Sequence, residues 1–275
     1  MIELEAITCS AADPESTAQV SSWLDTYGCA LVTDIYCADA FDEIVALTHA
    51  LEAQVHSARP ELYAEGSVWS IKSVFETSPE LAIRCMNPLL SRILLDAMHT
   101  NALVLFAGTL MAKTGAEDTP INWHQDNGIP VDRDLKDERS KGTREGGVPY
   151  RMATKDVLDR CVQCRIHIEP HREKGGCLRV APGSHAWDTM GYDAVAERVA
   201  DIQQLDVPAP AGSALLSRMT LAHMSPPAEN ILPDGEQRRV IQAQFHTSDV
   251  NPGFGLDWYK WETGIRIGPE GASVH

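Results

Sequence analysis

Positive charge is scarce in this chain. Its 275 residues hold 23 Lys and Arg against 39 Asp and Glu, a formal net charge of −16. A field of that sign repels phosphate backbones and anionic headgroups, so nucleic acid, membrane surfaces and polyanionic substrates are not expected as partners. Net charge does not describe one cleft, and a local basic pocket stays compatible with it. Long apolar runs are missing too: no stretch approaches the roughly 18 residues a membrane span requires. The start, Met1-Ile2-Glu3-Leu4-Glu5, is acidic and lacks the basic-then-apolar order of an export signal. The expectation is a soluble, cytoplasmic protein.

A paired cysteine framework is also lacking. Cys9, Cys29, Cys37, Cys85, Cys161, Cys164 and Cys177 are odd in number and irregular in spacing. Cys161 and Cys164 form a CxxC pair, but a zinc site needs two more ligands at similar spacing. On a strand, residues three apart point to opposite faces. Buried free thiols are expected instead. No internal repeat, low-complexity tract or linker divides the chain, so one domain spans 1–275.

What is present is an ordinary globular composition, 44% hydrophobic and 23% charged. Residues 1–100 read as mostly helical. Pro14–Tyr27 has helical spacing and stops at Gly28, Cys29–Ile35 reads as a strand, and Phe41–His56 carries Ile44, Leu47, Leu51 and Val55 on one stripe. Pro79–His99 gives a further helix or a pair. Residues 101–250 read as a β-rich core, a barrel or sandwich. The strand candidates are Ala102–Leu110, Cys161–Glu169, Cys177–Ala181, Ala214–Met219 and Val240–Phe245. The stretch 127–155 is dense in charge and reads as a lid loop.

Chemistry concentrates in Trp123-His124-Gln125-Asp126. On a strand, His124 and Asp126 share a face and can give one ion an imidazole nitrogen and a carboxylate oxygen. His223 follows a probable strand and precedes Ser225-Pro226-Pro227, so it can face the same mouth. Two His and one carboxylate on one side of Fe(II) leave the other side open to exogenous ligands. Arg238 and Arg239 open the run Val240–Phe245. Neighbouring strand residues point opposite ways, so only one of the two can clamp a carboxylate in that mouth. Gln163, Arg165 and His167 share one face of their strand, which is either the pocket wall or an outer polar face. Lys72 is a further residue expected to reach the pocket, and Trp258, Tyr259 and Trp261 are either aromatic pocket walls or, the preferred reading, a packed amphipathic tail. His185 suits a hydrogen-bonded turn.

These pieces resemble the phytanoyl-CoA dioxygenase family of Fe(II)/2-oxoglutarate oxygenases. The matching residues are Tyr27-Gly28-Cys29-Ala30-Leu31-Val32, the WHQD segment, Gly175-Gly176-Cys177-Leu178 and Pro182-Gly183-Ser184-His185. They continue through Gly212-Ser213-Ala214-Leu215-Leu216 and His223-Met224-Ser225 to Arg238. The resemblance implies an all-β double-stranded β-helix (jelly-roll) core with added N-terminal helices. It implies His124, Asp126 and His223 as iron ligands, and Arg238 with Ser225 as the holders of 2-oxoglutarate. Gln163, Arg165 and Lys72 are expected around the cosubstrate. The implied reaction consumes O2 and releases succinate and CO2 while oxidising an unactivated C–H, typically by hydroxylation. Asp126 disfavours halogenation, because related halogenases lack that carboxylate. The expected partner is a small-molecule metabolite of natural-product biosynthesis, with self-association left open. Two other readings are a zinc or manganese cupin-like enzyme with no need for 2-oxoglutarate, and a non-catalytic metal-binding jelly roll.

Overall fold

Alternation of residue type along a few long strands writes the centre of this molecule. In Cys161–His167 every residue is buried, yet Val162, Cys164 and Ile166 join an apolar core while Gln163, Arg165 and His167 face the other way. The same division runs along Gln237–Thr247, where Ile241, Ala243 and Phe245 are core and Arg238, Gln242 and Gln244 are not. The sheet therefore has one face for packing and one for chemistry. A computed structural model shows this arrangement and describes residues 2–58, 69–114, 120–143, 147–227, 237–262 and 264–275.

The main sheet has nine strands. In spatial order they are β1 (Thr8–Ser10), β2 (Cys29–Thr33), β12 (Ala214–Arg218), β9 (Cys161–His167), β14 (Gln237–Thr247), β4 (Leu103–Thr114), β15 (Ile265–Gly268) and β16 (Gly271–Val274). The ninth, β3 (Trp69–Lys72), also pairs with β4. Only β1 and β2 pair in parallel, which makes the sheet mixed. A second sheet lies opposite, in the order β11 (Leu205–Val207), β10 (Leu178–Val180), β13 (His223–Ser225), β5 (Ile121–His124). The two form a jelly-roll sandwich; the sheets stay open, so of the two architectures expected, the closed barrel is not the one adopted.

Helices cover the apolar face of the main sheet. α1 (Ser16–Thr26) and α2 (Ala38–Ala58) contribute Val20, Leu24, Ile44 and Leu51 to that core. The short α3 (Val74–Thr77) follows β3. The expected helical stretch 79–99 is a pair, α4 (Pro79–Cys85) and α5 (Pro88–Ala97). Pro88 cannot continue a helix, and the Asn87 side chain caps the new one by accepting from the Leu90 amide at 2.9 Å. α6 (Lys155–Leu158) precedes β9, and α7 (Tyr192–Val199) packs Val195 and Val199 against Ala181 and Ala222 behind the second sheet. Among the described residues no helix is long and apolar enough to cross a membrane. All seven cysteines are free, and Cys37 alone is exposed.

The stretch 127–155 departs from the expected loop. It folds into a third small sheet, β6 (Gly128–Pro130), β8 (Pro149–Met152) and β7 (Ser140–Thr143). Its apolar anchors Ile129 and Val131 are buried against Phe106 and Leu256, and Arg151 holds Asp137 through two hydrogen bonds of 2.7 and 2.9 Å. Charge density hid strands that are only three or four residues long. Arg144 and Glu145 of that stretch lie outside the described residues, as do 228–236 of the connection from His223 to Arg238.

Candidate active site

The two metal-ligand segments are tied together by backbone and side-chain bonds before any ion is considered. β5 ends at His124 and β13 begins at His223, and these two residues are cross-strand partners. Two residues past His124, the Asp126 amide donates to Met219 O at 3.1 Å. Gln125, between the two candidate ligands, donates to Thr220 O (2.9 Å) and accepts from the Met190 amide (3.0 Å). It is a buried amide with both ends satisfied, and that role was missed at the sequence level. The Pro182–His185 turn braces the other side: Ser184 Oγ accepts from the Ala222 amide (2.8 Å), and Thr220 Oγ1 donates to His185 O (2.8 Å). His185 itself packs on Gly28, where an added Cβ would come within 2.6 Å of its Nδ1. Gly28 also has φ +82°, a left-handed conformation that glycine adopts without strain. The role of His185 is structural.

The ligand atoms of His124, Asp126 and His223 lie within 4.8 Å of one another. His124 Nε2 is 3.8 Å from Asp126 Oδ1, and His223 Nε2 is 3.7 Å from Asp126 Oδ2. The imidazole rings sit 4.2 Å apart, centre to centre. Each Nδ1 faces a carbonyl oxygen, Asn122 O at 2.7 Å for His124 and Leu221 O at 3.0 Å for His223. A carbonyl only accepts, so the proton is on Nδ1 and the Nε2 lone pair is left for a metal. Arg165 Nη2 donates toward His223 Nε2 from 3.0 Å, which requires the same tautomer and uses the lone pair that a bound metal would take in its place. Burial, then the neighbouring His124 and Arg165, push the His223 imidazolium down to about 3, so the ring is neutral at physiological pH. Two imidazoles and one carboxylate converging from one side suit a single divalent iron with open positions.

Two adjoining cavities lie between the sheets. The outer one, about 160 Å³, contains the triad and is walled by residues such as Lys72, Thr109, Lys141, Tyr150 and Trp261. The inner one, about 50 Å³, is lined by Lys113, His167, His171, Ser225 and Arg238. Met111, Ile121, Arg165, Leu178 and Ser225 border both. Arg238 is thus the member of the Arg pair that faces the site; its guanidinium also donates to Gly175 O. Arg239 points the opposite way and binds Glu52 (2.7 Å) and Glu169 (2.6 Å). Lys113, cross-strand partner of Arg238, is a second buried cation of the inner cavity. The expected strand ended at Leu110, so Lys113 was overlooked; the spacing Thr109, Met111, Lys113 on one face was its only signal. Burial drives the His167 pKa down to about 4 and that of His171 well below its ordinary value, so both line the chamber as neutral rings.

One expectation needs correction. Gln163 is only 1% exposed and lines neither cavity, so it does not sit around the cosubstrate. It stands behind Asp126: one end of its carboxamide lies 2.6 Å from Asp126 Oδ2 and the other 2.7 Å from Arg165 Nε. Lys72 reaches the outer cavity and not the inner one. Of the C-terminal aromatics, Trp261 is a cavity wall, with its N–H on Phe106 O at 3.0 Å. Trp258 stacks on His246 with ring centres 4.0 Å apart, and Tyr259 packs edge-on to Trp261.

The profile of the family described as Phytanoyl-CoA dioxygenase (PhyH) matches residues 24–230, most of the chain. The chain belongs to that family. Solved structures place the fold in the same company. The carbocyclase SnoK of nogalamycin biosynthesis, described as non-heme and alpha-ketoglutarate dependent, matches with a TM-score of 0.63 and 16% identity over 86% of this chain and 87% of its own. The epimerase SnoN, solved with Fe3+, alpha-ketoglutarate and nogalamycin RO, gives 0.64 and 16% over 90% and 95%. EctD from S. alaskensis, solved with 2-oxoglutarate and 5-hydroxyectoine, gives 0.63 and 18% over 91% and 84%. No curated protein sequence matches significantly. Iron and 2-oxoglutarate, the pair expected from the sequence, are the groups named for these family-like structures. His124, Asp126 and His223 form a group able to hold a metal ion such as the first of them.

Proposed function

We propose that this family member is an Fe(II)- and 2-oxoglutarate-dependent oxygenase that hydroxylates, or otherwise oxidises, an unactivated C–H of a small metabolite. One observation supports it above the rest. The His124–Asp126–His223 triad opens onto a chamber whose far end holds Arg238, Lys113 and Ser225. A metal site alone fits many enzymes. A metal site beside a buried cationic pocket fits a cosubstrate that chelates at one end and carries a carboxylate at the other.

Iron with 2-oxoglutarate and O2 supplies the C–H oxidation when bound, with succinate and CO2 as coproducts. The protein's share is placement. His124, Asp126 and His223 hold the ion, and the Nδ1 contacts to Asn122 O and Leu221 O fix both rings. Gln163 and Gln242 orient the Asp126 carboxylate, Gln242 Nε2 lying 3.3 Å from Oδ2. Arg238, Lys113 and Ser225 take the distal carboxylate, and Arg165 brings positive charge to the passage between the cavities. The named activities of the matched structures, carbocyclisation, epimerisation and a hydroxylated product, show how widely one scaffold's reactions can end. Natural-product tailoring is the setting we infer from that company, with a small molecule as partner.

The test is anaerobic titration of Fe(II) and then 2-oxoglutarate. The expected result is a weak visible charge-transfer absorption that needs both additions, followed by succinate once air is admitted. Folded protein that binds metal yet gives no such absorption would return the chain to a cupin-like enzyme without 2-oxoglutarate. Absorption without succinate, across a broad metabolite panel, would return it to a binding protein.

A further inference from the structure

Two claimants meet at the Nε2 lone pair of His223. One is the metal of the proposed function; the other is Arg165. This arginine comes from β9 and, among the described residues, is the one cation lining both cavities. Its Nη2 lies 3.0 Å from His223 Nε2 and 3.6 Å from Asp126 Oδ2. Its other edge is held from behind, with Nε 2.7 Å from the Gln163 carboxamide. At 8% exposure the guanidinium stays in this wall whichever group it pairs with. Two facts of chemistry then apply. An imidazole Nε2 has one lone pair, so an N–H donor and a metal ion cannot both use it. An ion held by His223 and Asp126 also stands beside the guanidinium, and like charges in a dry site repel strongly. Asp126 is the single carboxylate among the described residues of either lining, so no other lining carboxylate offsets that repulsion.

We propose that Arg165 competes with the metal for His223, and that 2-oxoglutarate relieves the competition, so that ion and cosubstrate bind cooperatively. This rests on the oxygenase reading given above and describes how the same site is regulated. With the ion alone, Arg165 loses the His223 acceptor and shares Asp126 with a doubly charged neighbour. 2-Oxoglutarate brings two carboxylates to the adjoining cavities, and Arg165, lining both, gains an anion in exchange for the imidazole. A ligand shifts an equilibrium by the difference in its affinity for the two arrangements. The coupling is reciprocal: cosubstrate tightens the metal as much as metal tightens the cosubstrate. A fixed brace, holding the wall through Gln163 and nothing more, predicts no such coupling. The gain for the enzyme is that iron is held firmly only when 2-oxoglutarate is there to direct its reaction with O2.

The experiment titrates full-length protein with Mn(II), with and without saturating 2-oxoglutarate, and reads free ion from its electron paramagnetic resonance signal. In the native protein 2-oxoglutarate is expected to tighten Mn(II) by about tenfold or more, within the ordinary range of a coupling between sites. Arg165→Met should bind Mn(II) alone about tenfold tighter than the native protein and lose most of the cosubstrate effect. Arg165→Lys, which keeps the charge, should return Mn(II) alone to weak binding. Removing a mere brace would loosen the metal, not tighten it. A second readout needs no metal: in histidine nitrogen NMR of chelator-treated protein, the His223 Nε2 resonance should move when Arg165→Met removes its donor. Melting temperatures check that each variant is folded, and Arg165→Gln replaces the Met variant if that one does not fold. The proposal is overturned if the neutral variant binds Mn(II) no tighter, if its His223 resonance stays put, or if 2-oxoglutarate acts equally on native and variant protein. Failure of the oxygenase reading looks different: the native protein with Fe(II) would show no 2-oxoglutarate-dependent absorption, whatever Arg165 does to Mn(II) alone.

Discussion

The two faces of β9 and β14 are equally dry and chemically opposite. Toward the helices they present Val162, Cys164, Ile166, Ile241, Ala243 and Phe245. Toward the second sheet they present Gln163, Arg165, His167, Arg238, Gln242 and Gln244, each no more than 9% exposed. Buried polar groups cost free energy unless they are partnered, so a polar face hidden from water points to function. On the proposed function the first face carries stability and the second carries binding, and substitutions should separate the two.

The largest separation is expected at Asp126. Asp126→Ala should lower succinate formation by more than about a hundredfold while the melting temperature changes little, since outer-shell losses alone reach about that size. Retained turnover would remove the triad from the reaction. On the opposite face, Phe245→Ala should destabilise the fold by about 3–5 kcal/mol in a denaturant titration, through the cavity it leaves. The folded fraction should keep its 2-oxoglutarate affinity; a large loss there would show that the two faces are coupled. Arg238→Met should weaken 2-oxoglutarate by about 2 kcal/mol, some thirtyfold, and Lys113→Met by less. Arg239→Met, adjacent in sequence but turned to Glu52 and Glu169, should leave that affinity unchanged; equal effects from both arginines would contradict the register.

The smallest effect concerns pH. His167 has a folded pKa of about 4, below the ordinary 6.5, because burial disfavours its charged form. The unfolded chain therefore binds a proton first, and stability falls as pH drops from about 6.5 towards 4, by on the order of 1–2 kcal/mol at pH 5. His167→Gln should flatten that part of the stability profile.

Much of this was legible in the sequence, for physical reasons. Helices announced themselves through apolar stripes that ended at Gly28 or broke at Asn87-Pro88, and the long strands through apolar runs between turn residues. The meeting of His124 and Asp126 was legible because spacing by two on a strand puts side chains on one face. Alternation also said that only one of Arg238 and Arg239 could enter the site; which one depended on a register that only pairing with Lys113 and His167 reveals. The strands of 127–155 stayed hidden because three-residue strands carry too little periodicity. Gln163 was misassigned because strand parity gives a face but not a depth: it shares the face of Arg165 and is buried behind Asp126.

The bonds that join the segments 124–126 and 219–223 have a consequence for supply. Gln125, Ser184 and the Asp126 amide tie His124, Asp126 and His223 into place through the chain's own contacts, so the expected outcome is that this part of the molecule folds without coordination. Chelators should strip the ion and leave a reloadable apoprotein. On the proposed function, the divalent metal held there would follow the free concentrations around it, with copper and zinc as competitors wherever iron runs short.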